Sequence, residues 1–254
     1  MISNLTIISM FFPVIFSFIL FVGLILFFRN KIGISVKPII IGGVGFFVIT
    51  QVLEKLLHLV VITSFPNYAD HPWLFGLYGG MAAGVFEELG RFLLFTWILK
   101  KYRSYKDGVS FGIGWGGIEA VILNLLTVVP LIIFAFMMNA GTFEATIGSQ
   151  MNSHQMELLR NSVLDHSVLD SFYIIIERLF VVFLQIALSI LVLYAVLKKK
   201  FSYVVLAIFI HAAVDFPAVF YQTGHLTQLW IIEAYLAVIA FLSFIFIKKA
   251  KHWF

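Results

Sequence analysis

Seven predominantly apolar runs, at residues 7–28, 38–63, 75–99, 108–138, 170–197, 201–222 and 227–247, leave this chain few architectures. Each reaches the roughly 20 residues that a helix needs to cross a bilayer core of about 30 Å. Inside hydrocarbon the backbone must satisfy its own hydrogen bonds, which runs of this kind do as helices. Composition agrees: of 254 residues 61% are apolar and 12% charged, against the roughly 25% charged residues of a soluble domain. The fold expected is all-α, a polytopic transmembrane helical bundle of about seven spans. Soluble secreted enzymes, nucleic-acid binders and disordered scaffolds are excluded. The chain has no cysteine, which removes disulfides, thiolate zinc sites and a cysteine nucleophile. The first run lacks a basic leader and at about 22 residues is long enough to span, so it reads as a retained helix and not a signal peptide.

Basic residues sort the connections. Arg29, Lys31 and Lys37, then Lys100, Lys101, Arg103 and Lys106, then Lys198, Lys199 and Lys200, then Lys248, Lys249 and Lys251 fall on every second connection. Among the opposite connections, around Asp70, from Ala140 to Asp170 and around Thr223, the basic residue is Arg160. The positive-inside rule then predicts the N-terminus outside and the C-terminus in the cytoplasm of a multi-pass cell-membrane protein. The net charge of +4 is accordingly a topology signal, and no nucleic-acid partner is implied. The chain reads as one transmembrane domain, 1–254, with helix 7–28 peripheral and an external loop or short amphipathic helix at 139–169 that could act as a lid. Gly79, Gly80 and Gly84, and Gly112, Gly114, Gly116 and Gly117, form small-residue faces for close helix packing.

The informative residues are the ionisable ones left inside spans: Glu54, Lys55, His58, Glu87, Glu88, Arg91, Glu119, Glu177, Arg178, His211, Asp215 and Glu233. Each costs about 2.5–3.5 kcal/mol at the bilayer centre, so such groups face the bundle interior and pair or serve a purpose. Counted at about 1.5 Å per residue from the basic ends, Glu87, Glu119 and His211 share one layer near the midplane. Glu87 and Glu88 point about 100° apart. Arg91 is therefore expected to neutralise them unequally, leaving one carboxylate available as a general base. An aspartate one turn after His211 can orient the imidazole. Glu177–Arg178 and Glu54–Lys55–His58 read as structural pairings, and Glu233 as wet, being close to the external end of its span.

Four motifs carry a resemblance: Glu87-Glu88-Leu89-Gly90-Arg91, Gly112-Ile113-Gly114-Trp115-Gly116-Gly117-Ile118-Glu119, Glu177-Arg178 with Gln185, and His211-Ala212-Ala213-Val214-Asp215. In order and placement on separate spans they resemble the intramembrane CAAX-processing and bacteriocin-processing protease superfamily, within it the YhfC-type branch, which is also similar to PrsW-type site-1 proteases. The resemblance spans about residues 38–235 and implies peptide hydrolysis by activated water. Carried over by position, Glu87 or Glu88 is the base and Arg91 its partner. Glu119 is a second carboxylate, and His211 with Asp215 a ligand or oxyanion-stabilising pair. Zinc is the implied cofactor, with His211, Glu88 and Glu119 as ligands. Trp115 stands where relatives carry a histidine, and Gln185 where some do. That shrinks the ligand set and favours a metal-free mechanism or an inactive relative.

The resemblance implies an intramembrane endopeptidase acting on a membrane protein or lipid-associated peptide, with membrane lipids as its surroundings. A scaffold that binds a membrane partner without turnover is the alternative, for which Trp115 is the main argument. A proton-coupled transporter is a third reading, against which stands the missing internal repeat.

Overall fold

The computed structural model describes residues 1–148, 151 and 153–254. Among them every regular element is helical: α1 (Asn4–Ile32), α2 (Val36–Phe46), α3 (Lys55–Ser64), α4 (Pro72–Leu93), α5 (Tyr105–Asn139), α6 (Phe143–Ile147), α7 (Ser153–Leu164), α8 (Val168–Lys198), α9 (Ser202–Gln222) and α10 (Leu229–Ala250). A π-helical segment, Phe47–Glu54, joins α2 to α3 in one continuous rod, and α4 ends in a second, Leu94–Ile98. Among the described residues six helices are long and apolar enough to cross a membrane: Asn4–Ile32, Val36–Ser64, Tyr105–Asn139, Val168–Lys198, Ser202–Gln222 and Leu229–Trp253. The seventh long helix, α4, carries Glu87, Glu88 and Arg91 on its buried side.

The surface is inverted relative to a soluble fold. Phe11, Phe12, Ile15, Phe18 and Ile19 of α1 are exposed, as are Phe241, Leu242 and Phe244 of α10, while Glu54, Glu87, Glu88, Glu119 and Glu233 are buried and a half-covered Glu177 lines the same interior. α8 runs through the centre with α5, α1 and α10 around it, and α4 pairs most extensively with α9. That pairing needs glycine. A Cβ at Gly80 would strike the Ala212 carbonyl and one at Gly84 the Ile208 carbonyl, so only hydrogens let the two backbones come this close. The same contact brings Glu87 and Glu88 alongside His211.

The ends are fixed by side chains suited to them. Ser104 and Asp107 form a capping box at the start of α5, and Ser35, before α2, donates to Asp107. Ser167 and Asp170 form a second box at the start of α8, satisfying amides that the helix leaves orphaned. Lys37 lies over the Tyr102 ring at 6.0 Å and Tyr105 donates to the Ile247 carbonyl at 2.8 Å. The lysine- and arginine-bearing connections therefore gather at one end of the bundle. At the other end Asn139 bonds both the amide and the carbonyl of Ile2. The connection read as a loop at 139–169 forms α6 and α7, seating Phe143, Ile147 and Val163 in the interior. Residues 149, 150 and 152 of it lie outside the described residues, and none of those described lines the cavity below.

Candidate active site

Arg91 stands four residues after Glu87 and three after Glu88, so it straddles the angle between them. Its Nη1 donates to Glu88 Oε1 at 2.5 Å and its Nη2 to Glu87 Oε2 at 2.8 Å. The expectation of unequal neutralisation fails for this reason: a planar fork of donors reaches two carboxylates where a point charge would favour one. The pair is told apart by direction instead. Glu88 is 0% exposed and turned inward, its Oε1 also accepting from His211 Nδ1 at 2.7 Å. Glu87 lines a cavity.

Glu87 Oε2 accepts from three groups on three helices: Arg91, the Trp115 indole at 2.8 Å and the Gln185 amide at 3.3 Å. Trp115 also lies under the guanidinium, 4.7 Å from ring to Cζ. Glu87 Oε1 has no such donor and faces His211 Nε2 at 4.0 Å. Asp215 Oδ2 is 3.4 Å from the same nitrogen, one turn along α9 as the spacing predicts. Glu119, from α5, does not touch His211. It is reached through Gln185, whose Nε2 donates to Glu119 Oε2 at 2.5 Å and whose Oε1 accepts from Arg91. The other oxygen of Glu119 lies 3.5 Å from Arg178, which also pairs with Glu177.

These groups open onto a cavity of about 580 Å³ between α4, α5, α8, α9 and the rod containing α3. Its lining includes Glu87, Glu119, Gln185, His211 and Asp215, and further out Glu54, His58, Tyr78, Glu177 and Gln222. The outer members belong to the ends opposite the basic connections. Arg178, read from the sequence as purely structural, faces this cavity. Glu54, His58 and Tyr78 form a linked group on its wall, with His58 Nδ1 2.7 Å from the Tyr78 hydroxyl and Nε2 3.2 Å from Glu54. The Glu54–His58 spacing signalled the pair, whereas Tyr78 carried no signal. Glu233 corrects another expectation. It is buried beside Ile232 and Leu236, within electrostatic reach of Glu177 and Arg178, because α10 packs on α8 from its first turn. Its Oε2 has no hydrogen-bond partner among the described residues.

The fold and this interior charge layer define a multi-pass membrane protein with a buried acid–base cluster. The chain belongs to the YhfC intramembrane metalloprotease family, whose family model matches residues 16–236. It is 36% identical over 241 residues to "Uncharacterized membrane protein YhfC" of Bacillus subtilis (strain 168), covering 94% of this chain and 93% of that protein. No solved structure matches.

The family description implies a metal, and the donor set can be tested against one. A catalytic zinc takes about three protein ligands and keeps a fourth position open. Among the described residues no three His, Asp or Glu side chains converge as such a set. Of the ligands implied by the resemblance, Glu88 Oε1 is engaged by Arg91 and His211, and Glu119 by Gln185 and Arg178. Trp115 can only donate. Two guanidinium groups stand where a dication would need uncompensated negative charge. The residues as arranged do not fit a zinc site.

Proposed function

We propose that this protein is an intramembrane endopeptidase in which Glu87 is the general base, His211 the cavity-facing donor and Glu88 the residue that orients His211. The observation that carries the reading is the division of Glu87: one carboxylate oxygen holds three donors, and the other faces the cavity opposite His211 Nε2 at 4.0 Å. A water in that gap lies within hydrogen-bond reach of both atoms. Glu87 takes a proton from it, and the hydroxide oxygen bonds to the carbonyl carbon of a peptide. Nδ1–H of His211 donates to Glu88, so Nε2 carries a hydrogen only in the imidazolium, the form that the carboxylates of Glu88, Glu87 and Asp215 around the ring favour; that Nε2–H donates to the oxygen on which charge develops. Collapse of the tetrahedral adduct breaks the C–N bond as Glu87 returns its proton to the leaving amine. The products are a carboxylic acid, which passes its proton to the amine or to water, and the amine, and Glu87 regains its charge.

The substrate class this implies is a membrane protein or lipid-associated peptide that reaches the cavity from the end lacking lysine and arginine. By the positive-inside rule that end is external and the C-terminus cytoplasmic. The test is cleavage of transmembrane peptides by purified, reconstituted protein. Glu87→Gln and His211→Ala are each expected to lower turnover by about 10²- to 10⁴-fold while the protein stays monodisperse. Cleavage retained in both variants overturns the reading. A wild-type protein without turnover on any membrane peptide, but recovered with an intact partner, replaces it with the scaffold.

A further inference from the structure

Two carboxylates from different helices, Glu87 on α4 and Glu119 on α5, lie close enough to share one amide, and neither touches the other's arginine in the same way. Arg91 serves Glu87, and Arg178 serves Glu119. What joins them is Gln185, 1% exposed on α8. Its chemistry leaves one orientation. Arg91 can only donate, so the amide oxygen must face it. Ionised carboxylates can only accept, so the amide NH₂ must face Glu87 and Glu119. Both hydrogens and the oxygen are then used, and the bonds run in series from guanidinium to amide to carboxylate, each polarising the next.

The neighbouring backbone is shaped for this side chain. A Cβ at Gly116 would lie 2.8 Å from Gln185 Cβ, and one at Gly112 would meet the backbone of Gln185 and Ile186. Two glycines one turn apart on α5 thus open the slot through which Gln185 passes to reach both acids. A packing role alone asks nothing of the amide, since an apolar side chain of the same length fills the same slot.

We infer that Gln185 is a positioning residue that clamps Glu87 to Glu119 through its amide, saturating Glu87 Oε2 and thereby leaving Oε1 turned to the cavity. Its catalytic consequence rests on the hydrolase reading above. The clamp itself does not, and the test separates the two. Gln185→Met keeps length and apolar volume and removes the amide. In the purified full-length protein, Glu119→Gln is expected to lower the Tm in the wild-type background, where it breaks the clamp and the Arg178 pair. In the Gln185→Met background it is expected to raise the Tm, because it relieves two unbridged carboxylates. Equal effects of Glu119→Gln in both backgrounds overturn the clamp. In the cleavage assay Gln185→Met is expected to lower kcat by about 10²- to 10³-fold with KM within about threefold, and Gln185→Glu not to rescue it. An unchanged kcat overturns the positioning role. Coupled Tm values in a protein with no turnover support the clamp and overturn the hydrolase reading instead.

Discussion

At the scale of single residues, the two adjacent glutamates should respond differently to the same substitution. Glu88 carries bonds to Arg91 and His211 in a fully buried position, so Glu88→Gln should show first as lost stability. Breaking a buried pair costs about 3–5 kcal/mol, and a thermal melt of the purified variant reads it. Glu87→Gln also breaks a pair with Arg91, but it keeps an acceptor for Trp115, leaves Arg91 its Glu88 partner and lines the cavity, so it should melt below wild type by less than Glu88→Gln while losing turnover. Metal content is a second residue-scale outcome. With guanidinium and amide groups on the carboxylates, the protein purified without chelator should hold zinc well below one ion per chain, and a chelator should leave its Tm unchanged. Elemental analysis beside the melt checks both. The Glu-Glu-Leu-Gly-Arg motif was legible at this scale, as was the grouping of Glu87, Glu119 and His211, which line one cavity. That Arg91 would serve both glutamates was not, because helical angle alone ignores the width of a guanidinium. The slot for Gln185 was not legible either: the glycines opposite it looked like any small-residue face, and the reach of a side chain between helices depends on a register that no single helix contains.

At the scale of elements, the π-helical stretch Phe47–Glu54 decides which side of the second span meets the cavity. π-helical turns inserted in α-helices recur at functional sites, and here the stretch ends at Glu54, one turn before His58 on the cavity wall. Deleting one residue from Phe47–Glu54 restores α-helical spacing and rotates everything beyond by about 100°. It should break the His58–Tyr78 bond and raise KM more than it lowers kcat, as steady-state kinetics would show. Gly84→Leu is expected to separate α4 from α9 and lose both stability and turnover, since the same contact holds Glu88 against His211. The long helices were legible within a few residues, because hydropathy changes abruptly at charged connections. The π segments were not, since an extra residue inside a uniformly apolar stretch leaves no mark on composition. Glu233 was misread for a related reason: distance from a span's end says nothing about which neighbour covers that turn.

At the scale of the whole molecule, four basic connections gather at one end of the bundle and the cavity opens toward the other. The absence of native cysteine makes the orientation directly measurable. Asn67→Cys in intact cells is expected to react with a membrane-impermeant maleimide and Lys101→Cys only after lysis; the reverse pattern would invert the topology. The volume of the cavity has a further consequence. One turn of helix, 5.4 Å long and 10–12 Å across with its side chains, occupies on the order of 500 Å³, nearly all of the 580 Å³ beside Glu87. On the hydrolase reading proposed above, that space takes in about one turn of chain at a time, and a helix must release the hydrogen bond on a carbonyl before the carbonyl can be attacked there. Selection would then fall on segments whose coils come apart cheaply, so glycine or proline near the bond to be cut, more than any one recognised side chain, should decide which neighbours in the bilayer are severed.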